Sequence, residues 1–285
     1  MACTTLVEPA QLAPHLGNPR WVIVDCRFDL AKPDAGRALY RAGHIPGARY
    51  AHLNEDLSAP ITPRTGRHPL PSPEDFARTL GAWGIDAHTQ VVAYDDASGA
   101  IAARLWWMLR WVGHDAAAVL NGGLSAWLAS GFALESAEPK VTPATFVPHV
   151  RADRAITVEA LVPALASRSV ALVDARAADR FAGQNETIDP VPGHVPGARS
   201  HPFMSNLDAQ RRFLPPAVLR ERWAKTLDGV SGDEVVAMCG SGVTACLDLL
   251  ALELAGFSGA RLYPGSWSEW IRDRSRPIAT GSDDT

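Results

Sequence analysis

A chain of 285 residues, 47% hydrophobic and 20% charged, carries ample apolar material for a globular core, and at roughly 100–200 residues per domain it suits two domains better than one. A formal net charge of −4 without any Lys/Arg run argues against nucleic acid or an anionic membrane as partner, and no window approaches the roughly 18 apolar residues of a membrane span. Four cysteines (Cys3, Cys26, Cys239, Cys246) with no CxxC pair argue against a disulfide framework and against a metal site, leaving reduced thiols in a soluble, cytoplasmic protein as the expectation.

In chain order, the β-branched run WVIVDCR (21–27) reads as a buried strand and GHIPGAR (43–49) as a turn. SPEDFARTLGAWG (72–84) has helical spacing, and VVAYDD (91–96) reads as a second central strand. RLWWMLRWVG (104–113) is helical, with Trp107 and Trp111 four apart on one face, a spacing that points to packing rather than to a cofactor. NGGLSAW (121–127) follows, and then the proline-bearing stretch 137–153, which has no helical period and reads as an extended linker.

Beyond it the order repeats. VALVDAR (170–176) matches WVIVDCR, GHVPGAR (193–199) matches GHIPGAR, VVAMCG (235–240) matches VVAYDD, and PGSWSEW (264–270) resembles NGGLSAW. PPAVLRERWAKTL (215–227) and the segment from about Thr244 to Ala255 supply helices. The pattern predicts an α/β chain of two tandem copies, each a mostly parallel sheet flanked by helices. The boundaries fall at 1–138 and 153–285, with 139–152 as linker.

The copies differ where chemistry is expected, because aligning them on Val-Val-Ala sets Asp95 opposite Cys239. In CGSGVT a thiol leaves a strand, enters a glycine-bearing loop and precedes a helix N-terminus, where free N–H groups and the helix dipole favour an anion. Gly240 and Gly242 let successive N–H groups face one anion, and Ser241 and Thr244 add hydroxyls. No arginine closes the loop after Val243, so the clamp that phosphate esters require is absent. His44, His194, Asp25, Asp174, Arg27 and Arg176 recur in both copies, including the one without the thiol, and therefore read as structural. Cys246, two helical turns on, reads as core.

These residues are familiar as a set. The repeated GHxPGA signature and the single CGSGVTA loop resemble the two-domain rhodanese-type sulfurtransferases, in particular their 3-mercaptopyruvate sulfurtransferase branch, over nearly the whole chain. The resemblance implies that Cys239 takes a sulfane sulfur from a small anionic donor as a persulfide and passes it to cyanide or to a thiol acceptor such as thioredoxin, with no cofactor. It also implies that Ser241 works with His68 of GRHPLP, that Gly240, Gly242, Val243 and Thr244 line the donor site, and that Arg180 of ADRF holds the donor's oxygens. Thr187 stands where the branch often has a second arginine, and Asn54 where some members have an acid that pairs with the histidine. The alternatives are a thiosulfate:cyanide sulfurtransferase, with the same chemistry and another donor, and a non-catalytic persulfide relay module.

Overall fold

The short β-branched runs pair as predicted, in two separate parallel sheets, in a computed structural model that describes residues 2–282. The first sheet contains β1 (Leu6–Val7), β2 (Trp21–Asp25), β3 (Arg49–Tyr50), β4 (Gln90–Tyr94) and β5 (Ala117–Leu120), in the order β1-β5-β4-β2-β3. The second contains β6 (Ala171–Asp174), β7 (Arg199–Ser200), β8 (Val235–Met238) and β9 (Arg261–Leu262), in the order β7-β6-β8-β9. It has lost the counterpart of β1 except for a single parallel bridge from Ala155 to Leu262.

Register shows the duplication more strictly than sequence does. Trp21 to Asp25 pair in step with Gln90 to Tyr94, and Ala171 to Asp174 pair in step with Val235 to Met238. Asp25 therefore faces Tyr94, Asp174 faces Met238, and the next residues, Asp95 and Cys239, leave equivalent strand ends. The central strands are buried on both faces, as strands covered by helices on each side must be. In the first unit Ile23, Val92, Tyr94 and Leu120 pack with Tyr40 and Trp127; in the second Leu172, Val236 and Met238 pack with Phe181, Trp267 and Trp270.

The predicted helices form at Pro73–Ala82, Pro216–Leu227 and Ala245–Leu254. Ser72 caps the first by accepting the Asp75 N–H, with Pro73 at its opening position, where a missing N–H costs nothing. Trp107 and Trp111 stack within the buried helix Ala102–Trp111, their ring centroids 6.1 Å apart, so the pair packs the core.

The chain divides into two compact units whose edges differ from the sequence division in three segments. Residues 60–69 group with the second unit and 210–212 with the first. The stretch read as an extended linker groups with the first unit up to Arg151, where its backbone is hydrogen-bonded: Ala144 to the Gly81 carbonyl, His149 to that of Val112, Arg151 to that of Trp111. Apolar periodicity cannot register such pairing, since it uses only main-chain atoms.

Candidate active site

The residues that recur in both copies bind strand ends to loops. Asp174 accepts the Arg176 backbone N–H at 3.0 Å and its Nη2 at 2.6 Å, and that same Nη2 reaches the Gly193 carbonyl at 2.8 Å. Asp25, Arg27 and Gly43 repeat the arrangement in the first unit. His194 stacks on Phe181 and His44 on Tyr40, each with Nδ1 within 2.8 Å of a backbone carbonyl.

Cys239 follows the last residue of β8 and is buried. Its N–H donates to Ser266 Oγ at 3.1 Å, its carbonyl accepts the Trp267 N–H at 3.0 Å, and the Gly240 carbonyl accepts the Ser268 N–H at 2.9 Å. The short helix Ser266–Trp270 thus holds the strand end in place. Ser266 itself is buried with φ +53°, in the left-handed region that side chains avoid, and its hydroxyl donates onward to the Tyr263 carbonyl at 2.9 Å. Gly242 has φ +74° and lies so close to the Pro264 carbonyl that a Cβ would collide with it. The helix Ala245–Leu254 begins just beyond Val243 and Thr244, with its N-terminus at this loop. Cys246 lies on its buried side with Sγ 3.4 Å from the Gly242 carbonyl.

Three further side chains surround the loop from within the same unit. His68, brought by residues 60–69, places Nδ1 2.7 Å from Ser241 Oγ, and both residues are buried. Arg180 directs Nε and Nη2 to Glu186 and reaches Asp189 Oδ2 with Nη2 at 3.2 Å. Arg67 forms an ion pair with the other oxygen of Asp189 and donates its backbone N–H to Ser268 Oγ. A Cβ on Gly240 would stand 3.0 Å from Arg67 Nη2 and 3.7 Å from Arg180 Nη2, so both guanidinium groups lie beside this residue of the loop. Burial pushes the Glu186 carboxyl up, but the Asp189 and Ile188 backbone N–H groups and the Arg180 guanidinium outweigh it and hold the group below its ordinary range.

Behind the loop runs a buried polar chain. Asn206 donates to Asp248 Oδ1 at 2.7 Å, and its Oδ1 lies 3.2 Å from His201 Nε2, whose Nδ1 faces Thr226 Oγ1 at 2.8 Å. Burial, then a charge on Cys239, pushes the Asp248 carboxyl well up, and burial takes His201 down to about 4. His201 is therefore neutral at pH 7.

The first unit shows what its own loop does without a thiol. Asp95 turns its carboxylate into the cradle and accepts N–H bonds from Ala97, Gly99, Ile101 and Ala102 at 2.7–2.8 Å. Burial raises its affinity for a proton in spite of these donors. One anion held by four backbone donors is the arrangement the glycine-bearing loop suggested, although it appears in the copy that lacks the cysteine.

The sequence reading missed Arg67, Asp189, Ser266 and Asp248. Ser266 left a signal: in the repeat it replaces Gly123, whose φ is +58°. A side chain at a position where the sister copy needs glycine marks a strained site.

A rhodanese-like domain model matches residues 8–130 and again 157–273. A probable 3-mercaptopyruvate sulfurtransferase from Pseudomonas aeruginosa is 50% identical over 99% of this chain and 100% of its own. The human 3-mercaptopyruvate sulfurtransferase is 36% identical over 95% of this chain and 91% of its own. A putative thiosulfate sulfurtransferase from Mycobacterium tuberculosis is 37% identical over 97% of each. Among solved structures, the Escherichia coli 3-mercaptopyruvate sulfurtransferase superposes with a TM-score of 0.81 at 31% identity, covering 94% of this chain and all of the other.

Proposed function

The chain belongs to the rhodanese-like domain family, and from that premise we propose that it is a sulfurtransferase that takes sulfur from 3-mercaptopyruvate through a persulfide on Cys239. The observation that carries this reading is the lone thiol at the end of β8, in a loop pinned by Ser266 and faced by His68, Ser241, Arg67 and Arg180. Full-length similarity to sulfurtransferases named for mercaptopyruvate favours that donor over thiosulfate. The Mycobacterium relative keeps thiosulfate as the second reading.

In the proposed reaction the Cys239 thiolate attacks the donor sulfur, an S–S bond forms, and the C–S bond breaks with its electron pair passing to carbon. The pyruvate enolate so formed takes a proton to become pyruvate, and the sulfur stays as Cys–S–SH. The Ser241 hydroxyl, hydrogen-bonded to His68, serves as the relay for that proton. Gly240, Gly242, Val243 and Thr244 supply the loop that faces the sulfur, and Arg180 the contact to the carboxylate. A second thiolate, such as a reduced thioredoxin, or cyanide then removes the outer sulfur and restores the thiolate. No step calls for a metal or an organic cofactor. Among the described residues no helix is long and apolar enough to cross a membrane, and the reduced thiols this cycle requires suit the cytoplasm.

The test is sulfur transfer to cyanide with 3-mercaptopyruvate and thiosulfate side by side, for the wild type and Cys239→Ser, with the mass of the Cys239 peptide followed after donor alone. The expected result is a higher kcat/KM with mercaptopyruvate, loss of turnover in the variant, and a gain of one sulfur atom on Cys239. Preference for thiosulfate would replace the donor assignment. Sulfur on Cys239 from a protein persulfide but from neither small donor would make the chain a relay.

A further inference from the structure

The two arginines beside Gly240 differ in how their donors are used. Arg180 commits its Nε and Nη2 edge to Glu186 and Asp189. Arg67 spends Nη1 on Asp189, while its Nε is buried without a hydrogen-bond partner among the described residues. Its Nη2, the group closest to the Cβ position of Gly240, likewise has no acceptor among them. An unsatisfied buried guanidinium N–H is costly, by about as much as a hydrogen bond to a charged group contributes. Nη2, left without an acceptor beside a nucleophile's loop, is placed as a site for an oxyanion requires.

Charge is layered in the same sense. The side chains of Arg67 and Arg180 keep 23% and 18% of their surface in solvent, whereas the carboxylates that hold them, Asp189 and Glu186, keep 1% and 2%. The carboxylates lie beneath and fix the two guanidinium groups, which present their positive side outward. Asp189, with one oxygen on each arginine, sets their separation.

Resting on the sulfurtransferase reading, we infer that Arg67 is a second, specificity-determining contact for the donor's carboxylate, acting with Arg180 across Asp189 to select donors that carry a planar oxyanion beside the transferable sulfur. The segment that brings His68 to Ser241 thereby also brings the donor's second cation, so residues 60–69 supply both a proton relay and a binding group.

The experiment separates this inference from the reading it rests on. Cys239 is alkylated with iodoacetate, which is anionic, and iodoacetamide, which is neutral, and the modified Cys239 peptide is quantified for the wild type, Arg67→Ala, Arg67→Lys and Arg64→Ala, the last an exposed arginine on the same segment. In parallel, kcat and KM for 3-mercaptopyruvate are measured. Arg67→Ala is expected to lower the iodoacetate/iodoacetamide rate ratio about tenfold and to raise KM about tenfold with kcat within about twofold. Arg67→Lys should keep most of the alkylation ratio but little of the KM, since it retains the charge and loses the fork, and it tests the site if the alanine variant is unstable. Arg64→Ala should change neither. An unchanged alkylation ratio in Arg67→Ala overturns the inference. A fall in that ratio in a protein that turns over no mercaptopyruvate would refute the donor assignment and leave Arg67 as an oxyanion contact.

Discussion

Acid should weaken the second unit through one imidazole. His201 is 5% exposed, stacks on Trp223 with ring centroids 3.8 Å apart, and burial holds it near 4 where an unfolded histidine titrates near 6.5. A folded value below the unfolded one means that the unfolded chain binds the extra proton first, so stability is complete above about pH 6.5 and is lost as pH falls toward 4. At about pH 5 the linkage amounts to about 2 kcal/mol, and the full window to about 3 kcal/mol. The raised Asp248 carboxyl has the opposite sign, so the wild-type profile alone mixes the two. Replacing His201 with glutamine removes only the imidazole's contribution. Urea unfolding followed by tryptophan fluorescence at about pH 7.5 and about pH 5 should show the wild type losing about 2 kcal/mol more than His201→Gln between the two conditions. Equal acid losses in both proteins would refute a neutral, buried His201.

Two other substitutions probe the frame of the loop. Ser266→Ala removes the acceptor of the Cys239 N–H while keeping a Cβ at φ +53°, and Ser266→Gly removes the acceptor but relieves the backbone. Thermal unfolding should show both destabilised, the alanine variant by about 1 kcal/mol more, and mercaptopyruvate turnover reduced in each; two variants as stable and active as the wild type would show that the bond is incidental. Asp95→Ala strips four backbone donors of their acceptor and should cost at least about 2 kcal/mol, with added formate raising the melting temperature of the variant more than that of the wild type. An absence of any formate effect would mean the cradle closes once it is emptied.

The parallel sheets, the duplication and the Asp95/Cys239 exchange were legible in the sequence because each rests on local order: apolar runs of strand length, and a landmark spacing that register later reproduced in pairs such as Asp25 with Tyr94 and Asp174 with Met238. The placement of His68 against Ser241, 173 residues apart, came only by resemblance, since no periodicity links a proline-rich loop to a distant turn. Arg67, Asp189 and Asp248 were invisible for a different reason. Their meaning depends on which charge neutralises which, and that is fixed by three-dimensional proximity and burial rather than by residue type. The stretch 139–152 reads as linker because it has no apolar period, and its hold on the first unit combines backbone bonds with isolated side-chain contacts, Phe146 against His114 and Arg151 with Asp115.

The carboxylate of Asp95 has one more consequence. A receptor whose ligand is covalently attached to it has an effective ligand concentration that dilution cannot reduce, so the first copy stays saturated under all conditions in which it is folded. Its loop stays in the occupied shape without needing any solute. The second copy has a thiol at the equivalent strand end and lacks that self-sufficiency, so its loop must be held by other means, which is the work of the strained serine and the helix behind it. Duplication thus separated two properties a single copy could not combine: a cradle that is always full, and one that can be filled and emptied with each turnover.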